Sequence, residues 1–502
     1  MTLEIDTPPI KTIPYFYILW AEITPAQNSN SSQLVINYAH TTSHKTGAVS
    51  LRTLSYLLPA KTTSSEFASD SAQSWVDSLL DLAYLNDRAV RQKKLKLLVN
   101  PFGGQGKALK LYHSQVYPIL RAARCHVDFE ETKYRGHAID IAETLDADAY
   151  DAVVCVSGDG LPHELFNGFG KRADAQRVMK KLPVALIPGG SGNSLSWSCF
   201  GTGSASLAAV CVVKGINMAL DLASITYEDK NAQFGSSVNR LLSFCSQSVG
   251  MVAEVDLGTE NLRWLGDARF TVGFLLRVLG KTVWPADVAL IVEDEDKTSI
   301  KKKYSDHLAN HGKTPRTHTD TSTDNHITHR NRASSLDQSL PALQYGDISE
   351  PLNSAFSPLT PMPNLGNFYA GNLSYMAADA PFFAAVLPSD GCFDLMTIPG
   401  NLGRMSAIKT LLALDAPNGG LYHRPAVTYR KVKGYRIVPY GKLGRMRHSG
   451  GESGKFEAEE YISIDGERIP FGPFQCEVHE GLGTVLSRTG WKFEAPAFGE
   501  DV

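Results

Sequence analysis

Three times between residues 95 and 200, an apolar strand-like run ends in a glycine-rich loop and gives way to a helix-like stretch. The runs cover 95–99, 152–156 and 184–187. The loops are Asn100-Pro101-Phe102-Gly103-Gly104-Gln105-Gly106-Lys107, Ser157-Gly158-Asp159-Gly160 and Pro188-Gly189-Gly190-Ser191-Gly192-Asn193. With a further strand at 126–131 and helices near 108–123, 138–145, 161–168 and 191–200, the alternation predicts a parallel sheet covered by helices on both faces. Ligands of such sheets bind beyond the strand C-termini, where all three loops fall. Glycine lets backbone N–H groups approach an anion, and strand-to-helix turns aim them at it. Lys107, Ser191 and Asn193 add side-chain donors. One such loop is only a tight turn; three in series, one with an aspartate between glycines, point to phosphoryl transfer from a nucleotide.

Asp159 is the candidate for chemistry. Little shields it, and it can take a proton from an attacking hydroxyl as a general base. Taken alone, a cap on the following helix is an equal reading; beside the 189–193 loop the catalytic reading is favoured.

The flanking segments read differently. Residues 1–92 carry β-like runs at 13–23, 33–40 and 49–58. A helix at 71–85 follows, with Trp75, Leu79, Leu80, Leu82 and Leu85 on one side. This small β-rich module is either faintly pleckstrin-homology-like or a cap on the catalytic domain, and Arg91-Gln92-Lys93-Lys94 reads as a solvated linker. After the α/β domain at 93–225, β-like runs dominate 226–490 and predict a mostly antiparallel β-sandwich. Leu-, Phe- and Met-rich helices at 270–279 and 402–414 interrupt it. The polar tract at about 296–364 predicts a disordered insertion, and its five histidines are too irregularly spaced to preform a metal site. Asp256 follows an apolar stretch and suits a pocket rim. Arg263 and Arg269 suit neutralising a phosphoryl group. Asp465-Gly466-Glu467 is a hairpin-turn signal.

Composition excludes several classes. The net charge of −3 gives no basic field for nucleic acid. Seven scattered cysteines without a C-x-x-C fit reduced thiols rather than disulfides or zinc. The N-terminus lacks a signal-peptide apolar core. No uncharged apolar run approaches the roughly 18 residues of a membrane span, so membrane contact is expected to be peripheral.

At these residues the chain resembles the diacylglycerol-kinase-catalytic superfamily of lipid kinases, and within it the fungal type of sphingosine (long-chain-base) kinases. The resemblance runs from about 93 to 488, outside the polar tract. It is carried by the first loop, Thr132-Lys133-Tyr134-Arg135-Gly136-His137-Ala138, Ser157-Gly158-Asp159-Gly160-Leu161-Pro162-His163-Glu164-Leu165-Phe166-Asn167-Gly168, the 188–195 block, Glu254-Val255-Asp256, Asp390-Gly391 and Asp465-Gly466-Glu467.

The resemblance implies a nucleotide-binding domain followed by a lipid-binding β-sandwich, and transfer of the ATP γ-phosphoryl group, with Mg²⁺, to a lipid primary hydroxyl. Asp159 then resembles the base. Asn100, Gly103, Gly104, Gly106, Lys107, Thr132, Ser157, Gly158, Gly160, Gly189, Gly190, Ser191, Gly192 and Asn193 resemble the phosphate and nucleotide loops. Glu260, Arg263, Arg269, Asp465, Gly466 and Glu467 resemble nucleotide-side residues, while Ser246 and Asp256 fall where the family contacts the sphingoid head group. The two apolar helices would line an acyl channel or its gate, or be ordinary core helices. The metal ligands stay unassigned. The implied partners are a sphingoid-base lipid and a membrane surface, with a cytoplasmic, peripherally membrane-associated location. The first loop departs from many relatives in carrying Phe102 and Gln105 at positions often basic. A ceramide or diacylglycerol kinase, a nicotinamide-dinucleotide kinase and a catalytically dead lipid-binding scaffold are the competing readings.

Overall fold

The computed structural model describes residues 2–5, 11–26, 31–58, 66–103, 106–190, 192–229, 237–258, 282–311, 338–377, 380–413, 419–441, 461–494 and 498. Strands β1 (Thr2–Ile5) and β2 (Lys11–Pro14) pair with each other. β3 (Ile18–Pro25), β4 (Ser32–Thr41) and β5 (Val49–Leu57) form an antiparallel sheet, and α1 (Glu66–Ala83) packs on β3. α1 buries Val76, Leu79, Leu80 and Ala83, an i, i+3, i+4, i+7 set. Trp75 and Leu82, expected on that same side, are instead 43% and 38% exposed, and Leu85 lies beyond the helix, also exposed. The small Ala83 and the branched Val76 set the inward phase, whereas a reading weighted by large side chains rotated it.

The α/β part alternates strictly. β6 (Lys94–Val99) leads to α2 (Ala108–Leu111), a π-helical turn (Tyr112–Val116) and α3 (Tyr117–Ala122). Next come β7 (His126–Glu131), α4 (His137–Thr144), β8 (Ala152–Ser157), α5 (Gly160–Gly170) and α6 (Ala175–Lys181). β9 (Val184–Pro188), α7 (Ser194–Phe200) and α8 (Ala205–Lys214) complete it. The strands pair in parallel in the order β7-β6-β8-β9. Every residue of β8 and β9 is buried, which is why both read as unbroken apolar runs.

The N-terminal module seats on this part around buried lysines. Tyr84 Oη donates to the Leu19 carbonyl at 2.6 Å. Lys214 Nζ donates to the Ala83 carbonyl at 3.0 Å and lies 3.4 Å from the centroid of the Tyr84 ring. Lys93, expected in a solvated linker, is 2% exposed and donates to the carbonyls of Val90 and Val213 at 3.1 and 2.7 Å.

The remaining strands all pair antiparallel with one another. They are β10 (Ile216–Asp229), β11 (Ser237–Ser243), β12 (Ser246–Gly250), β13 (Ala286–Asp294), β14 (Thr360–Met362), β15 (Leu365–Gly371), β16 (Phe393–Pro399), β17 (Thr428–Pro439), β18 (Ile462–Ile464), β19 (Glu467–Ile469) and β20 (Phe474–Ser487). Among the described residues the helices α9 (Met251–Gly258), α10 (Lys297–His311) and α11 (Arg404–Leu412) lie between them. These strands enclose a core of their own that includes Val249, Phe368, Phe393, Tyr435, Ile462 and Phe474. One hydrogen-bonded sheet runs through both parts: β20 pairs with β10 and then meets β9 in parallel at Val485 and Val184. β10 therefore continues through residue 225, where the sequence suggested a boundary. The helix expected at 270–279 lies outside the described residues.

Of the polar tract expected to be disordered, residues 297–311 form a helix and 338–364 are ordered, while 312–337 lie outside the described residues. α10 buries Ile300 and Tyr304, and its His307 and His311 rings stack on one another, with His311 also stacked on Trp491. Residues 338–364 are ordered because buried polar side chains of the sheet satisfy their backbone. Glu477 accepts the amides of Gln344 and Tyr345, and Arg436 donates to the carbonyls of Asp347 and Glu350. Low apolar content hid an anchor made of hydrogen bonds. Among the described residues no group of three metal-ligating side chains forms, all seven cysteines are unpaired, and no single helix is long and apolar enough to cross a membrane.

Burial lowers the Lys93 pKa to about 8 and takes that of Lys214 well below the usual lysine value. A lysine depressed in the folded state carries a penalty below its folded pKa that fades as the pH rises toward the unfolded value of 10.5. The stability of Lys93→Met relative to wild type, from urea unfolding, is therefore expected to decline steadily between about pH 8 and 10.5. A pH-independent difference would count against a charged, buried Lys93.

Candidate active site

The three glycine loops meet at the C-terminal ends of β6, β8 and β9. Gly189 N donates to Ser157 O at 2.8 Å, and Asp159 N donates to Gly192 O at 3.1 Å. A Cβ on Gly158 would sit 2.7 Å from Gly192 O, and one on Gly190 only 2.3 Å from Gly158 N. Backbone packed on backbone thus demands these glycines, in addition to any need for an anion to approach. The first loop joins them: Asn100 N donates to Val156 O at 3.3 Å, Asn100 Oδ1 accepts Phe102 N at 3.0 Å, and Gly189 faces Ala108. Gly103 donates to the Asn100 carbonyl, Gly106 has φ +72°, and Lys107 stands exposed at the start of α2. The Asn193 side chain closes its own loop, with Nδ2 donating to Gly190 O at 3.0 Å. Ser157 Oγ turns to the Gly158 carbonyl. Gly104 and Ser191 lie outside the described residues.

Asp159 does not cap the helix that follows it. Its carboxylate crosses to α7, where Oδ2 accepts Ser194 N at 2.8 Å and Oδ1 accepts Leu195 N at 3.1 Å. Burial pushes its pKa up and the two amides pull it down. Nearby Asp465 adds to the upward push, and the net shift is upward. The side chain both satisfies the first two amides of α7 and stands as a half-buried proton acceptor beside two glycine loops.

Asp465 ties the two parts of the molecule together. It forms, with Gly466, the two-residue turn between β18 and β19, at φ 52° and 84°. Its side chain has no exposed surface. Oδ1 accepts Ser243 Oγ at 2.6 Å and the amides of Cys245 and Ser246, each at 2.9 Å; Oδ2 accepts Phe244 N at 3.0 Å and contacts His163 Nδ1 at 2.9 Å. These bonds explain why the β-run expected at 242–249 is broken into β11 and β12: the amides between them turn toward the carboxylate. Asp465 N also donates to Ser246 O at 2.7 Å, which places Ser246 in the same junction.

Glu467 pairs with Arg135 on the loop after β7. That loop also holds Thr132, whose amide donates to Val99 O at 2.9 Å. The structure thus gathers Asn100, Thr132, Ser157–Gly160, Gly189, Gly190, Gly192, Asn193, Ser246 and Asp465–Glu467 into one connected set at the strand ends and the Asp465 junction. Asp256 lies on α9; its side chain lies outside the described residues, as do Glu260, Arg263 and Arg269.

Three residues of the 157–168 string matter individually, although the sequence reading took them only as part of a motif. His163 reaches Asp465. Glu164 accepts the amides of Gly136 and Ala138 at 2.9 and 3.1 Å, fixing the loop that carries Thr132 and Arg135. Asn167 mimics a strand toward β11, accepting Leu242 N at 2.8 Å and donating to Leu242 O at 2.9 Å. Their i, i+1 and i+4 spacing marks two faces of α5, but their partners lie far away in sequence.

Comparison with known proteins adds to this geometry. Residues 94–225 match the family described as diacylglycerol kinase catalytic domain, and residues 2–85 match a domain of unknown function (DUF7493). The chain is 34% identical to Sphingoid long chain base kinase 5 of Saccharomyces cerevisiae, over 83% of this chain and 62% of that protein. It is 32% identical to Sphingoid long chain base kinase 4 of Schizosaccharomyces pombe, over 88% and 85%. It is 27% identical to Sphingosine kinase 1 of Arabidopsis thaliana, over 79% and 76%. A solved diacylglycerol kinase from Bacillus anthracis is 17% identical, with a TM-score of 0.46 over 78% of this chain and 96% of that one.

Burial works against the His163 imidazolium, but the Asp465 hydrogen bond and the charges of Asp465, Glu467 and Glu164 raise its pKa above 6.5. The charge part of this clamp is complete below pH 6.5 and is lost as the pH climbs through the raised folded value. His163→Gln is therefore expected to destabilise the protein most below pH 6.5 and progressively less in alkaline buffer, as read from urea unfolding. An unchanging difference would show that the pair contributes no charge.

Proposed function

We propose, from the premise that this chain belongs to the sphingoid long-chain-base kinases, that it transfers the γ-phosphoryl group of ATP to the primary hydroxyl of a free sphingoid base. The observation that carries the mechanism is Asp159, a half-buried carboxylate with a raised pKa standing between two interlocked glycine loops. Asp159 accepts the hydroxyl proton as that oxygen attacks the γ-phosphorus. The new O–P bond forms, the bridging bond to the β-phosphate breaks, and ADP leaves. The loops around Gly103, Gly158 and Gly189 supply backbone donors to the phosphates. Glu467 and Arg135 stand on the nucleotide side, and Asp465 acts as a positioning residue, its oxygens already engaged.

Mg²⁺ belongs to the same proposal and supplies charge neutralisation on the phosphates. The described carboxylates of the site are each held by protein donors: Asp159 by two amides, Glu164 by two, Asp465 by five groups and Glu467 by Arg135. Among the described residues no carboxylate of the site is left to build a protein cage, and the ion would be carried largely by the phosphates and water.

In this reading the α/β part binds nucleotide, the antiparallel part binds lipid, and the N-terminal module caps the former. Ser246 and Asp256 are assigned to the lipid head group. A carboxylate about 4 Å from the base's ammonium gains on the order of 4 kcal/mol at an effective dielectric of 20, before desolvation; neutral ceramide and diacylglycerol gain nothing comparable. The protein would act in the cytoplasm at a membrane surface, where its substrate resides.

The test is phosphate transfer from labelled ATP with Mg²⁺ to sphingosine, dihydrosphingosine, phytosphingosine, ceramide and diacylglycerol. Product from the free bases alone is expected, with Asp159→Asn lowering kcat by about 10²–10⁴-fold. Product from ceramide or diacylglycerol instead would replace the substrate assignment, and no product from any lipid would leave a scaffold. Asp256→Asn is expected to raise KM for the base far more than KM for ATP; unchanged lipid kinetics would remove Asp256 from the head-group site.

A further inference from the structure

α11 turns apolar side chains outward. Met405 and Leu412 are 67% and 71% exposed, while Ala407, Thr410 and Ala413 are buried. At 3.6 residues per turn, Met405 and Leu412 project within about 20° of each other. Half-buried Ile408 lies beside them, and exposed Arg404 and Lys409 flank the stripe on either side. The helix, Arg-Met-Ser-Ala-Ile-Lys-Thr-Leu-Leu, contains no acidic residue. An outward apolar ridge between two cations is the pattern of a helix lying in the interfacial plane of an anionic bilayer.

Its place in the fold suits that role. A Cβ on Gly250 would lie 2.7 Å from Gly366 O, and one on Gly366 would lie 2.5 Å from Gly400 Cα. These three glycines sit at one end of β12, β15 and β16, so the chain enters α9 from β12 and reaches α11 from β16, two strands separated by β15 alone. α9 carries Asp256, the proposed head-group residue. A bilayer touched by α11 would lie at the same end of the sheet from which α9 departs.

We infer that α11 is a membrane-docking element that seats Met405 and Leu412 among the acyl chains and Arg404 and Lys409 on anionic head groups. The inference rests on the lipid-kinase reading and names the surface from which that enzyme takes its substrate.

The test uses the full chain with vesicles of phosphatidylcholine, with and without phosphatidylserine and free of sphingoid base, read by co-sedimentation. Activity on a base in detergent micelles is measured in parallel. Wild type is expected to bind the phosphatidylserine vesicles more tightly, and less so in high salt. Met405→Ser with Leu412→Ser should weaken binding about tenfold or more, and Arg404→Gln with Lys409→Gln should abolish the preference for phosphatidylserine. Micellar activity of the apolar double variant should stay near wild type.

Unchanged vesicle binding in both double variants overturns the inference. So does an equal loss of micellar activity, which would make α11 part of the substrate channel, or a variant-dependent change of oligomeric state without a change in vesicle binding, which would make the face a contact with a second copy. Absence of micellar activity in wild type would instead defeat the kinase reading, independently of the vesicle result.

Discussion

The Asp465 carboxylate is the joint on which the site depends. A fully desolvated carboxylate is tolerable only when its oxygens are saturated by donors, and here the donors come from two stretches far apart in sequence. The loop between β11 and β12 turns its amides inward, Ser243 adds a hydroxyl, and α5 sends His163. Their convergence fixes the end of β11, the start of β12 and the height of α5 relative to the antiparallel part. α5 begins immediately after Asp159, and β12 leads directly into α9. One buried charge thereby sets the distance between the residue proposed to take the proton and the helix proposed to meet the lipid head group.

Asp159 shows the same economy. Accepting the first two amides of α7 ties β8's loop to the helix after β9, so the carboxylate holds together the two loops that would cradle the phosphates. The amides stabilise the anion, while burial and the Asp465 charge oppose it. The outcome is a carboxylate held in fixed orientation with its basicity raised, a combination suited to accepting a proton from a weakly acidic hydroxyl.

Much of this was legible in the sequence, and the parts that were not share a cause. The parallel sheet was legible because burial on both faces writes unbroken apolar runs into β8 and β9. The glycine loops were legible because packing one backbone against another leaves no alternative residue. The turn at Asp465-Gly466 was legible because both residues need positive φ. The misread features depend on partners that local pattern cannot reveal. The break between β11 and β12 is imposed by a carboxylate more than 200 residues away. The order of residues 338–350 comes from Glu477 and Arg436, not from apolar content. Lys93 looks solvated beside Arg91 and Lys94 until α8 closes over it and the Val213 carbonyl receives its ammonium.

The continuity of the sheet bears on how a substrate could enter. β10 and β20 pair along almost their whole lengths, and β20 then joins the parallel strands at β9. A cleft bridged by two long hydrogen-bonded strands cannot open by swinging one part freely away from the other without breaking ladder bonds. Access is more readily provided by elements that leave the sheet edge and are not pinned into it. α11 meets that description, with Met405 and Leu412 exposed, whereas α9 is held to the sheet by the Trp284–Glu254 and Val252–Asn367 hydrogen bonds. The rigid joint at Asp465 and the outward apolar face of α11 are then complementary: the first fixes the two parts against each other, and the second is the surface proposed to meet the membrane that holds the lipid.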